Sequence, residues 1–248
     1  MTTVNRLNTA ISAVRGMPHA TSEAYSRDLR RAGIFPETSR GGPKSAPRIT
    51  TTMAGYMLAA LLRGSPTAAA ENAREVGDLI VHDPIGNVAG ILRGEDRADP
   101  ILDCQRAMFG WPADMSFARA VGWLIDRYVD GSIANFIDDA KGIMVEVDRY
   151  WVMAKLFVHP AAHLVDGNKS AWQTALGVSD VPAPLPMEIM FHSPLRYEMK
   201  VNYKVNPDLN RAAHQTYSRL RDEASKFDRL GTESVTQRTL IAIAEVFK

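Results

Sequence analysis

Polar and basic side chains that suit phosphates and base edges are concentrated between residues 22 and 48 of the sequence. Arginine presents a planar set of N–H donors to phosphate oxygens and to the guanine edge, and serine and tyrosine hydroxyls bond the same groups. The residues of this kind are Ser22, Tyr25, Ser26, Arg27, Arg30, Arg31, Arg40, Lys44 and Arg48. Their chemistry makes them candidate DNA-binding residues.

The distribution of charge favours the same interpretation. Residues 1–63 contain nine Lys/Arg and three Asp/Glu, a charge of +6, whereas residues 64–248 contain twenty and twenty-five, a charge of −5. The net charge of +1 hides this asymmetry. A basic end on a mildly acidic body is typical of a module that binds a polyanion. Solvated surface charge with a chance skew is the alternative.

Two helices are predicted to position these side chains. Apolar residues at helical spacing indicate a first helix over 3–14. Gly16 and Pro18 then interrupt the pattern, because glycine ends helices and proline suits the first turn of the next one. A second helix is predicted over 19–32. Two helices joined by such a turn resemble a helix-turn-helix, whose second helix enters the major groove of DNA.

A basic loop and a third helix complete the predicted N-terminal module. The loop, residues 37–48, contains two Gly, two Pro and three basic residues and has no apolar core to bury. Ile49 and the threonines at 50–52 then supply a hydrophobic staple and an N-cap for an apolar helix predicted over 52–63. We therefore predict that residues 1–64 form a compact three-helix module that carries the DNA-binding surface.

The remaining residues, 65–248, are predicted to form a mixed α/β body used for oligomerisation or partner binding. Its helices are expected over 66–81, 113–139, 207–228 and 234–247, with loops at 82–100 and 167–186. Alternating β-branched and aromatic residues predict two strand pairs, at 143–158 and 187–205. The fold class is therefore α+β, with an N-terminal helical, helix-turn-helix-like module followed by a helix-rich body with a small antiparallel β-sheet.

Catalytic and metal-binding patterns are weak. His159 and His163 have the spacing of metal ligands, but Pro160 interrupts the helix that such a pair needs, and no HExxH glutamate is present. The sequence contains no GxSxG elbow and no phosphate loop ending in GK[ST]. We therefore expect no enzyme activity, no metal and no cofactor.

The composition also indicates the cellular compartment. The lone Cys104 excludes an intramolecular disulfide and fits a reducing environment. No apolar run approaches the roughly 18 residues of a membrane span, and the first residues lack the apolar region of a secretory signal. A cytoplasmic protein without membrane contact is expected.

The segment 13–64 resembles the N-terminal parts of proteins from phages and prophages, particularly alphaproteobacterial ones. These proteins share a helix, a segment similar to LREAGL, a Gly/Arg-rich loop and a Thr-capped helix. The ending VTQRTLIAIAEVF is also similar to theirs. The matching residues here are Leu29, Arg30, Ala32, Gly33, Ile34, Arg40, Gly41, Gly42 and Thr51. The resemblance implies phage association and DNA binding, with no mechanism attached.

Three functions remain open on this basis. The leading hypothesis is a transcriptional regulator that binds double-stranded DNA as a dimer on two half-sites. A terminase small subunit, which would form a DNA-packaging ring, is the first alternative. A protein-interaction or assembly factor is the second, with the sheet near 197–205 as its working surface. The expected partners are double-stranded DNA, further copies of the chain, and a phage or host protein.

Overall fold

The computed structural model describes residues 3–37, 48–81, 107–112, 114–148, 153–170, 173, 187–192 and 232–248. Within these ranges, helices pack against an antiparallel sheet, so the α+β class is confirmed. The α-helices are α1 (Val4–Arg15), α2 (His19–Arg31), α3 (Thr51–Arg63), α4 (Ala69–Gly77), α5 (Phe117–Val129), α6 (Ala162–Gly167) and α7 (Gln237–Phe247). Short 3-10 turns lie at Pro66–Ala68, Ile133–Asn135 and Asp139–Lys141. None of the described helices is long and apolar enough to cross a bilayer.

The sheet joins strands that are distant in sequence. Its strands are β1 (Ile80–Val81), β2 (Met144–Asp148), β3 (Met153–Val158), β4 (Met187–His192) and β5 (Thr232–Thr236), in the spatial order β1-β4-β3-β2-β5. Every neighbouring pair is antiparallel, and Glu146 of β2 lies opposite Lys155 of β3 on one side and Ser234 of β5 on the other. Along β2 and β3 the side chains alternate between buried and half-buried, as expected for a sheet with one face packed on the core.

The first three helices confirm the predicted bounds to within one residue. Thr3 caps α1 by accepting a hydrogen bond from the Arg6 backbone N–H, and Thr50 caps α3 in the same way. Gly16 ends α1 with a φ of +63°, a conformation that favours glycine because it has no Cβ. Local capping chemistry was therefore sufficient to locate these helix ends.

Three predicted helices in the body are wrong in extent. α5 ends at Val129 rather than at 139, because Asp130 bonds the Ser132 backbone N–H (2.9 Å) and Gly131 takes a φ of +75°. The helix predicted over 66–81 is a 3-10 turn followed by α4, and its last two residues pair with β4 as β1. Residues 234–236, predicted as helix, belong to β5.

The two strands predicted within 143–158 and the strand at 187–192 are confirmed. Several other predictions lie outside the described residues: the loop at 82–100, the strand at 197–205, the helix over 207–228 and most of the segment 167–186.

A continuous core links the N-terminal helices to the rest of the chain. α3 packs against α4 and α5, and α1 packs against both α2 and α7. The backbones of α3 and α5 touch: a Cβ added at Gly55 would lie 2.2 Å from the Ala118 carbonyl oxygen, and one at Gly122 would lie 2.8 Å from the Thr52 nitrogen. The boundary predicted at residue 64 therefore falls inside a shared core rather than between two cores.

Candidate nucleic-acid interface

The contact between α1 and α2 is a buried polar seam, defined here as Asn8, Ser12, Ser22 and Ser26. The hydroxyl oxygens of Ser12 and Ser22 lie 2.8 Å apart, and the Asn8 side-chain amide donates to the Ser26 hydroxyl (2.9 Å). Ser22 also donates to the Asn8 carbonyl oxygen (3.2 Å). Both Ser22 and Ser26 are 0% exposed. Their prediction as DNA-contacting residues is therefore wrong, because their hydroxyls are enclosed between the helices.

Tyr25 is also wrongly predicted as a DNA-contacting residue. Its side chain is only 5% exposed, and its hydroxyl donates to the carbonyl oxygen of Gly64 just beyond α3. The buried residues of α2 are Ser22, Tyr25, Ser26 and Leu29, which recur at the i, i+3, i+4, i+7 spacing of an inward-facing stripe. That spacing, with an aromatic residue four positions before Leu29, was the signal that could have identified the stripe.

The remaining predicted residues of α2 are exposed or half-buried. Arg27 and Arg31 are exposed and Arg30 is half-buried. Their spacing of three and four residues places their Cβ atoms about 5–6 Å apart on successive turns. Arg48 is exposed just before Ile49, which is buried in the core ahead of α3. We call Arg27, Arg30, Arg31 and Arg48 the arginine surface; Arg40 and Lys44 lie outside the described residues.

No carboxylate of the described chain lies within ion-pair distance of the arginine surface. Two acidic residues of α2 are directed elsewhere. Asp28 accepts a hydrogen bond from the Ala70 backbone N–H (2.8 Å), at the positive end of α4 where a carboxylate is favoured. Glu23 faces His19, with 3.6 Å between the Glu23 Oε1 and His19 Nδ1 atoms. The four guanidinium groups are therefore not neutralised by neighbours that the structure describes.

The basic end of α2 is fixed in place by polar contacts on both sides. Arg74 of α4 donates to the Ala32 carbonyl oxygen (2.7 Å), and Asp28 of α2 accepts from the Ala70 backbone N–H of α4. At Gly33, whose φ is +74°, the chain reverses, and the backbone N–H groups of Ile34 and Phe35 donate to the Leu29 carbonyl oxygen. These contacts satisfy carbonyl groups at the helix end and hold the C-terminal end of α2 against α4.

Beyond Arg74 the surface becomes electrically mixed. Three polar side chains there contact a carboxylate: Arg63 contacts Glu75 (3.1 Å), Arg119 contacts Asp114 (3.3 Å) and the Tyr56 hydroxyl contacts Asp78 (2.5 Å). Burial, reinforced by the hydrogen bond to Asp78, raises the pKa of Tyr56 above its ordinary value, so the hydroxyl remains a donor. The arginine surface therefore ends at α4.

The position of a residue along α2 determines whether it is expected to contact base edges or phosphates. In a helix-turn-helix, residues near the N-terminus of the second helix contact base edges. The arginines here occupy the C-terminal half of α2, where guanidinium groups suit phosphate oxygens of the backbone. Arg30 and Arg31 also lie in the last turn, where a cation stabilises the helix by about 0.3–1 kcal/mol through the macrodipole. That stabilisation is the alternative explanation for their presence.

Among the described residues, no three His, Cys, Asp or Glu side chains come together in a way that could hold a metal ion. His159 has a buried Nδ1 atom without a hydrogen-bond partner, while His163 is exposed. Cys104 lies outside the described residues.

Comparison of the chain with protein-family models, with curated proteins and with solved structures found no match. The function of the arginine surface is therefore inferred from its own geometry and charge.

Proposed function

We propose that this protein binds double-stranded DNA through the arginine surface and acts as a phage-type transcriptional regulator. The observation that supports the proposal is a set of four arginines, three exposed and Arg30 half-buried, with no ion pair to a carboxylate among the described residues. Arg27, Arg30 and Arg31 project from α2, whose end is fixed by Asp28 and Arg74, and Arg48 lies just before α3. The sequence adds Arg40 and Lys44 in the ten residues before Arg48.

Burial of Ser22, Tyr25 and Ser26 restricts the kind of binding that the surface can provide. Phosphate contacts position a protein on the duplex without reading sequence, and they account for most of the salt dependence of binding. Each phosphate that an arginine neutralises lowers the slope of log K against log salt by about 0.9. Four to five such contacts give a slope of roughly −4.

Fluorescence anisotropy of a labelled duplex across a salt series tests this proposal. We expect binding that weakens steeply with salt, and Arg31→Gln should reduce the slope by about one unit while weakening binding to all sequences alike. Arg238→Gln is the matched control, because Arg238 is exposed on α7, outside the arginine surface. The absence of any duplex binding at low salt, or an equal effect of Arg31→Gln and Arg238→Gln, would contradict the proposal.

The assembly state separates the regulator from the ring-forming alternative. A regulator that reads two half-sites requires a dimer, whereas a terminase small subunit requires a closed ring of more copies. Light scattering of the full chain, with and without duplex DNA, measures this directly. A dimer that keeps its stoichiometry on DNA supports the regulator, and a larger closed oligomer supports the packaging role. A strict monomer that binds no DNA would favour the interaction factor.

A further inference from the structure

The solvent-facing side of α2 is divided into two chemically different halves. The C-terminal half presents arginines, whereas the N-terminal half presents Ala20, which is exposed, and Ala24, which is half-buried, with Glu23 between them. A helix rises 1.5 Å per residue, so Glu23 lies about 6 Å from Arg27 along the axis. Alanines at this position leave space for the helix backbone to approach another surface closely.

Glu23 lies at the end of a series of contacts that begins on α1. The Thr9 hydroxyl donates to the Asn5 carbonyl oxygen (3.0 Å) and lies 3.4 Å from the His19 Nε2 atom. The other ring nitrogen of His19 lies 3.6 Å from the Glu23 carboxylate. The side chains of His19 and Glu23 are 42% and 45% exposed, so the carboxylate is accessible to a ligand while it lies within ion-pair distance of His19. No ion pair joins Glu23 to Arg27, although the two residues are one turn apart.

A carboxylate on a DNA-facing helix is repelled by phosphates and needs a hydrogen-bond donor as its partner. In the major groove the amino groups of cytosine and adenine are the donors available. Adenine also presents its N7 acceptor beside that amino group, which repels a carboxylate, whereas cytosine presents the donor alone. We propose that Glu23 is the base-discriminating residue of this interface and selects cytosine at one position of the bound duplex, with His19 as its positioning residue.

This inference rests on the proposed DNA binding. The α2 arginines that are proposed to contact phosphates follow Glu23 on the same helix. Its alternative is that Glu23 only stabilises the start of α2 by pairing with His19. The two roles differ in what a substitution changes. A structural role alters affinity for all duplexes equally, while a discriminating role alters the preferred base at one position.

The test is selection of bound sequences from a randomised duplex library by the full chain, followed by anisotropy on the selected sites. We expect the wild type to prefer cytosine at one position by about 10- to 100-fold over other bases. Glu23→Ala should abolish that preference while leaving the salt slope unchanged. Glu23→Gln should change the preferred base to adenine, because a carboxamide pairs with the adenine N6 and N7 atoms. His19→Ala should reduce the preference without changing which base is preferred.

Glu245→Gln is the control, because Glu245 is exposed on α7 and pairs with Lys248. It should leave the selected sequence unchanged. A cytosine preference that persists in Glu23→Ala overturns the inference, and so does salt-dependent binding by the wild type with no base preference. In both cases the proposed DNA binding stands. Failure of the wild type to bind any duplex overturns both.

Discussion

Two pairs of helices in this molecule pack closely, one pair through polar side chains and the other through glycines. α1 and α2 meet through the polar seam, in which hydroxyl and amide groups bond one another out of contact with solvent. α3 and α5 meet at Gly55 and Gly122, where the absence of a Cβ lets one backbone lie against the other.

The two contacts differ in what they determine: the polar seam fixes the orientation of α2, whereas the close contact of α3 with α5 contributes more to stability. Hydrogen bonds in the seam each contribute a modest net free energy, but they are directional, so they fix how α2 and its arginines are oriented on α1. Close apposition of α3 and α5 has no such directionality and depends on shape alone, because closely packed interiors leave no space for an added methyl group. We therefore expect substitutions at Gly55 and Gly122 to lower stability more than substitutions in the polar seam.

The largest effect is expected for Gly55→Ala. Helix propensity alone would favour alanine by about 1 kcal/mol, yet the new Cβ meets the backbone of Ala118, which cannot move without shifting α5. We expect a net loss of about 3 kcal/mol in the free energy of unfolding, measured by urea denaturation. Gly167→Ala, at the last residue of α6, is the control, since a Cβ there meets nothing within 4 Å, and it should not lower stability. Equal stability of the two variants would contradict the packing role of Gly55.

An intermediate effect is expected for Ser26→Ala in the polar seam. Its removal leaves the buried Asn8 amide without its acceptor, a loss of about 2 kcal/mol. The double variant Asn8→Leu with Ser26→Ala removes both partners and should lose less than the sum of the single changes, because no unsatisfied group remains. Strict additivity in a thermal or urea double-mutant cycle would show that the two side chains are not coupled.

The smallest effect concerns the link between α1 and the sheet. Arg15 donates to the Ser234 carbonyl oxygen (2.9 Å) and pairs with Glu233 (3.5 Å), but both charged side chains are about one third exposed. Solvent screening limits such a pair, so Arg15→Met should lower the unfolding free energy by no more than about 1 kcal/mol. Repeating the urea titration at high salt should shrink the difference further, and a salt-independent loss would instead indicate that the hydrogen bond to Ser234 dominates.

The parts of the fold that sequence patterns predicted are those with local causes. Thr3, Gly16 and Thr50 define helix ends through their own backbone and side-chain chemistry, and alternation marks β2 and β3. β1 is two residues long, and β5 contains a single strongly apolar residue, Val235. Both exist because of partners far away in the sequence, which no local pattern specifies.

The candidate site was predictable only in part for the same reason. Arg27, Arg31 and Arg48 are exposed as expected, because long charged side chains are rarely buried without a partner. The inward side of α2 was predicted incorrectly: Ser22 and Ser26 are predicted to contact DNA because serine is usually exposed. Ser22 and Ser26 face inward because Asn8 and Ser12 of α1 supply matching groups. That complementarity exists only between two helices and cannot be read from either one.

The packing of α1 on α7 has a consequence for synthesis of the chain. More than two hundred residues separate the end of α1 at Arg15 from the start of α7 at Gln237. A ribosome adding about 5–20 residues per second needs roughly 10–45 s to cover that interval. During this time the apolar side of α1, with Leu7 and Ile11, lacks part of its final cover, and transiently exposed surface of this kind is what chaperones bind. α1 therefore reaches its final packing only after α7 has left the ribosome.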